Sequence, residues 1–150
     1  MARRGVARAR LADPSRQAAG FDRLRQARQT EVAEDYVELI ADLIADEGEA
    51  RAVDLAARFG VSHATVNKTL ARLSREGLVE TRPYRSIFLT DAGAEMARKS
   101  RQRHQIVLGF LLAIGVPKDV AEIDAEGVEH HVSAETLAIF EKIAAESGKE

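Results

Sequence analysis

Three glycines, Gly48, Gly60 and Gly77, cut the middle of this chain into helix-sized pieces, and the apolar residues between them recur at helical spacing. Val32, Val37, Leu39, Ile40, Leu43 and Ile44 mark a helix over Glu31 to Glu47, with Gly48 as its natural stop. Val53, Leu55, Ala56 and Phe59 mark a short second helix ended by Gly60. Ser62 can cap a third that runs to about Arg75, with Val66, Leu70 and Leu73 as its buried stripe and Gly77 as its end. The runs LVETRPY and SIFLT then read as a small hairpin. Helix, tight glycine turn, helix and two-stranded wing together predict a winged helix-turn-helix over residues 31–89.

Residues 90–150 read as helical throughout. Thr90 and Asp91 are placed to start a long helix through DAGAEMARKSRQRHQIVLGFLLAIG. Pro117 suits the first turn of the next, and Ser133 with Glu135 and Thr136 begins the last. Residues 1–30 differ: rich in Arg and Ala, poor in large apolar side chains and interrupted by Pro14 and Gly20, they are expected to form a flexible arm. That arm suits either a solubilising tail or a contact to DNA phosphate or the minor groove. The expected fold class is therefore mainly α.

Charge is segregated along the chain, although the net is only -2. Residues 1–28 carry +6, residues 29–50 hold eight acids and no base, residues 51–89 carry +4 and residues 90–150 carry -4. A basic block between acidic ones points to one part that meets a polyanion. On the third helix, inward Val66, Leu70 and Leu73 leave His63, Asn67, Lys68, Arg72 and Arg75 outward. Asn67 has the paired donor and acceptor that read an adenine edge, while Lys68, Arg72 and the wing residues Arg82 and Arg85 can neutralise phosphates. Ser62 and Thr65 add hydroxyl donors near the helix start. The bland reading of that face is solvation alone.

The absence of cysteine excludes disulfides, thiolate metal clusters and cysteine nucleophiles, so any metal is held by oxygen and nitrogen. The longest apolar run, Ile106 to Val116, is short of the roughly 20 residues a bilayer span needs. No signal peptide opens the chain, and a cytoplasmic protein without membrane partners is expected. The segment DAEGVEHHVS concentrates donors: Glu126, Glu129 and His130 stand at i, i+3 and i+4, able to converge on a cation if helical. Asp35 and Glu38 form another i, i+3 pair, and His104 sits where the long helix turns from charged to apolar. Four carboxylates and two imidazoles make a hard donor set suited to Mn2+ or Fe2+, with His131 and Asp124 as candidates to orient the ligands. Each pair alone is common on solvated helix faces. A catalytic metal centre is the other chemical reading, but no nucleophile motif or Gly-rich phosphate loop accompanies the cluster, so a binding role rather than an enzyme with an organic substrate is expected. Apolar IVLGFLLAIGV with Leu137, Ile139, Phe140 and Ile143 exceeds what the tail needs for its own core and suggests a homodimer.

EDYVELIADLI, VDLAARFGVSHATVNKTLARLSREGLVE, FLTDAGAEMARKSRQRHQIVLGFLLAIGV and DAEGVEHHVS together resemble the diphtheria toxin repressor family, from about Glu31 onward. The resemblance implies a dimeric winged-helix repressor that binds its double-stranded DNA operator when a divalent metal joins the first helix to the dimerisation helices. It implies Asp35, Glu38, His104, Glu126, Glu129 and His130 as ligands, with the division between one ion and two left open. The iron-sensing branch has a methionine and a cysteine where this chain has Asp35 and Glu126, which favours Mn2+ over Fe2+ and repression of manganese uptake genes. Because the sequence runs only one helix past HHVS, the further SH3-like domain of those relatives is expected to be missing. A metal-independent winged-helix regulator and an iron-responsive member of the family remain the alternatives. The Arg-rich arm is not part of the resemblance.

Overall fold

The computed structural model describes residues 10–82 and 85–148. In order, the elements are α1 (Pro14–Glu47), α2 (Ala52–Phe59), α3 (His63–Arg75), β1 (Val79–Glu80), β2 (Phe88–Leu89), α4 (Asp91–Ala113), α5 (Lys118–Val128) and α6 (Ala134–Ser147). Among the described residues no helix is long and apolar enough to cross a membrane.

The glycine punctuation works as expected. Gly48 and Gly60 close α1 and α2 in the left-handed conformation, φ 82° and 67°, where a side chain would be strained. Ser62 caps α3 by accepting the Thr65 N–H at 3.1 Å, and Thr90 and Ser133 cap α4 and α6 in the same way. The wing is the antiparallel pair β1–β2, with Val79 opposite Leu89 and Glu80 opposite Phe88, extended by a bridge from Ala50 to Ile87. The tip of the expected hairpin, Pro83 and Tyr84, lies outside the described residues.

Residues 14–30 correct one expectation. They are helix, continuous with the segment beginning at Glu31, and not a flexible arm; residues 1–9 lie outside the description. The physical reason is that helix formation is costly at its nucleus and cheap in propagation. Packing of Ala33, Tyr36, Val37, Ile40 and Leu43 nucleates α1 from its C-terminal half, and Ala, Arg and Gln then carry it backwards at little cost. Asp13 and Pro14 supply the start: the Asp13 carboxylate accepts the Ser15 and Arg16 N–H groups, and Pro14 stands where no amide donor is needed.

One core joins the N-terminal half. The buried α1 residues meet Leu55 and Ala56 of α2, Val66, Leu70 and Leu73 of α3, and Leu78, Val79 and Ile87 of the wing, with Tyr36 stacked on Phe59 at 4.5 Å. The beginning of α4 is stitched to the same unit. Thr90 N–H donates to Leu78 C=O at 3.1 Å, and buried Gly93 lies so close to that carbonyl that a Cβ would meet it at 2.0 Å. Further along, α4 packs on α5 and α6, with Phe110 stacked on Phe140 at 3.9 Å. No α6 residue is fully buried, and Leu112, Ile114, Ile123 and Ile139 are exposed.

Candidate metal centre and nucleic-acid interface

Two trios of donors meet where α1, α4 and the end of α5 come together. Glu31, Asp35 and His130 form one, His104, Glu126 and Glu129 the other, each with ligand atoms within 4.8 Å of one another. Local structure explains this division. Helix α5 stops at Val128, because the chain must turn extended before Ser133 caps α6. Glu129 keeps a helical conformation as the C-cap, so it stays on the Glu126 side of the helix, but His130 lies in the turn beyond and swings toward α1. The three therefore do not converge as one helical face, which corrects the i, i+3, i+4 expectation.

Glu129 joins the trios. Its Oε2 lies 2.7 Å from His104 Nδ1 and its Oε1 3.3 Å from His130 Nε2. His104 also lies 3.6 Å from Glu126 Oε1. Asp35 Oδ1 is 3.1 Å from His130 Nε2, in reach of its charge but not aligned as a hydrogen bond. Burial here is nearly complete, with 1% of each of the Glu129 and His130 side chains exposed. Glu129 Oε1 and His130 Nε2 have no hydrogen-bond partner among the described residues. Buried polar atoms left so cost roughly 1–3 kcal/mol each, and two aimed at one point fit a cation that would take both lone pairs.

Electrostatics agree. Burial first, then the Glu126 charge, push the Glu129 carboxyl up to about 7 against the pull of the His104 and His130 charges. Burial acts against a charged His130, but Asp35 and Glu34 at its ring nitrogens, with the Asp35 and Glu129 charges, outweigh it and raise its pKa to about 10.

Of the six residues expected as ligands, the fold brings Asp35, His104, Glu126, Glu129 and His130 into the trios. Glu38 stands apart from both and accepts the Ser100 hydroxyl at 2.9 Å. Asp124 is exposed. Sequence reading missed Glu31 and Glu34: Glu34 Oε2 lies 2.8 Å from His130 Nδ1, and Glu31 Oε2 lies 3.2 Å from His131 Nε2. Their signal was present in the i, i+4 spacing of Glu31 and Asp35, but which of eight acids faced inward depended on the docking of α1. Arg103 was missed as well. Its guanidinium donates to Glu129 C=O at 3.0 and 2.7 Å and to Val132 C=O at 2.8 Å, clamping the 129–132 turn onto α4.

Of the eight residues expected at DNA, four, His63, Asn67, Arg82 and Arg85, line a groove of about 770 Å³ between α3 and the wing, which Arg51 also borders. Lys68 is exposed on α3, and Ser62 and Thr65 share the helix cap, their hydroxyls 3.0 Å apart. Arg72 is placed differently. It donates to Glu76 at 3.0 Å and to the Gln29 carbonyl of α1 at 3.0 Å, so it fastens the third helix to the first.

The description of the N-terminal DNA-binding domain of iron dependent repressors fits residues 29–87, and that of their metal-binding and dimerisation domain fits residues 90–146. The chain belongs to the iron dependent repressor family. Within this family it is 56% identical over 121 residues to the transcriptional regulator MntR of Escherichia coli O6:H1, covering 81% of this chain and 78% of the relative. It is 54% identical over 121 residues to MntR of Salmonella typhimurium, covering 81% and 77%. A solved manganese-dependent transcriptional repressor in complex with manganese superposes with TM-score 0.66 at 30% identity over 79% of this chain. The chain spans about half the length of that repressor, 53%. The family resemblance read from the sequence therefore holds, as does the mainly helical fold with a winged-helix half and a metal-binding, dimerisation half.

Proposed function

We propose that this iron dependent repressor family member is a manganese-responsive repressor of manganese uptake genes, acting as a homodimer on operator DNA in the cytoplasm. The observation that carries the reading is the meeting of two sulfur-free trios, in which Glu129 of one lies 3.3 Å from His130 of the other, and one of which is built on the helix at the centre of the winged-helix core. Asp35 and Glu31 come from α1, while His104, Glu126, Glu129 and His130 come from the C-terminal half. Oxygen and imidazole nitrogen suit Mn2+, and the absence of a thiolate disfavours softer metals. Two trios would give room for two ions per chain.

Mn2+ held by these residues would supply positive charge that offsets the repulsion among the carboxylates and would satisfy Glu129 Oε1 and His130 Nε2. Asp35 and His130 would then be held together, while Arg103 keeps the 129–132 turn on α4 and Arg72 ties α1 to α3. In a two-fold dimer the two copies of α3 thus stand at a fixed spacing, which must match half-sites about one helical turn, roughly 34 Å, apart. The exposed Leu112, Ile114, Ile123 and Ile139 supply apolar surface for that dimer.

Duplexes selected by the protein from a random DNA pool in Mn2+ test the proposal in a gel shift. Retardation in Mn2+ and release by EDTA are expected. Equal binding in both conditions defeats metal dependence, and stronger retardation in Fe2+ than in Mn2+ at matched free metal reverses the assignment of the ion.

A further inference from the structure

The N-terminal half of α1 is a basic rod with nothing packed on most of it. In residues 10–28 five arginines face two acids, Asp13 and Asp22. Asp13 is occupied as the helix cap and Asp22 pairs with Arg25 at 3.4 Å. Arg16, Arg23 and Arg28 are exposed and have no acidic partner among the described residues. Beyond Gln29 the same helix turns acidic, so charge reverses where Arg72 of the recognition helix grips the α1 backbone.

Two kinds of occupant could cover such a rod, another helix or a polyanion. A helix partner needs an apolar seam at heptad spacing. The exposed Leu11, Phe21 and Leu24 make no continuous seam: the line Gln17, Phe21, Leu24, Arg28, Glu31 has two apolar positions between polar or charged ones, and the line Pro14, Ala18, Phe21, Arg25, Arg28 ends in two arginines. Charge complementarity selects the polyanion. The attachment at Arg72 sets which one, since it roots the rod beside the helix that faces duplex DNA.

We infer that the α1 extension is a second DNA-binding element, in which Arg16, Arg23 and Arg28 neutralise backbone phosphates beyond those reached by α3 and the wing. The inference rests on the DNA-binding reading above and adds to it a contact without sequence preference, which raises affinity and salt sensitivity together.

The test compares the parent chain, Arg16→Gln/Arg23→Gln/Arg28→Gln and the matching Arg→Lys triple variant on sheared mixed-sequence duplex DNA in Mn2+, across a salt series. Gln preserves helix propensity and Lys preserves charge. The slope of log affinity against log salt is expected to flatten in the Gln variant by about 0.9 for each phosphate no longer neutralised, hence up to about 2.7 per chain, while the Lys variant keeps the parental slope. A Gln variant with the parental slope overturns the inference, and so does a Lys variant as weak as the Gln one. A drop in sedimenting mass of the Gln variant without DNA also overturns it, because the rod then meets a second copy. A fall in its Mn2+ affinity large enough to account for the weaker DNA binding does the same, since Arg23 borders a cleft with His130 and His131. If the parent chain itself holds no duplex DNA, the failure lies in the DNA-binding reading, a distinguishable result.

Discussion

Glu129 Oε1 and His130 Nε2 lie 3.3 Å apart, buried, and neither finds a hydrogen bond among the described residues. Adjacent residues placed this way at the end of α5 make the turn a junction: one faces α4 and His104, the other faces α1 and Asp35. Their arrangement leads to the first prediction. Equilibrium dialysis should find two Mn2+ per parent chain, one in His104→Ala and none retained by Glu129→Ala. A Glu129→Ala protein that holds as many ions as His104→Ala would show that the Glu31, Asp35 and His130 trio does not depend on Glu129.

Protons and metal compete for this junction, and the direction follows from the raised pKa values. Glu129 at about 7 against an ordinary 4.5, and His130 at about 10 against 6.5, both hold protons more tightly in the fold than in the unfolded chain. Each therefore stabilises the fold below its ordinary value and ceases to as pH rises, Glu129 between 4.5 and about 7 and His130 between 6.5 and about 10. In EDTA the Tm is expected to fall as pH is raised through neutrality. The gain in Tm on adding Mn2+ should grow over the same range, because binding displaces protons. A flat or rising Tm in EDTA contradicts this account.

Glu34 holds the Nδ1 side of His130 and so directs Nε2 toward the trio. Losing such an orienting carboxylate typically weakens metal binding about 10–100-fold. Glu34→Ala should show a loss in that range by Mn2+ titration, and Glu34→Gln, whose amide oxygen still accepts a ring N–H, should recover part of it. Equal losses in the two variants would show that charge, not orientation, is what Glu34 contributes.

Gly93 joins the halves by having no side chain. A Cβ at this position would stand 2.0 Å from the Leu78 carbonyl, which is backbone and cannot rotate aside. Overpacking of this kind costs about 1–3 kcal/mol. Gly93→Ala should lower the Tm in EDTA while Gly109→Ala, whose Cβ would meet Ala144 at an ordinary 3.8 Å, leaves it nearly unchanged. Matching melting curves for the two would remove Gly93 as a close-packing point.

The winged-helix half was legible because each of its elements is announced locally, by Gly48, Gly60, Ser62 and Gly77 and by a single buried stripe per helix. The metal centre was legible as a donor inventory only. That His130 leaves the face of Glu126 and Glu129 depends on where α5 ends, and that Glu31 and Glu34 turn inward depends on how α1 docks, and neither is written in the spacing. Residues 14–30 were misjudged because low hydrophobicity signals poor independent folding, whereas here a packed neighbour had already met the cost of starting the helix.

An uninterrupted α1 has a mechanical consequence. At 1.5 Å per residue, Pro14 stands roughly 32 Å along the axis from Asp35. A stiff lever of that length turns a tilt of about 10° at the ligand end into a sweep of roughly 5 Å at the far tip. The fulcrum is a cluster of a few carboxylates, and the span it moves is comparable to the pitch of a duplex.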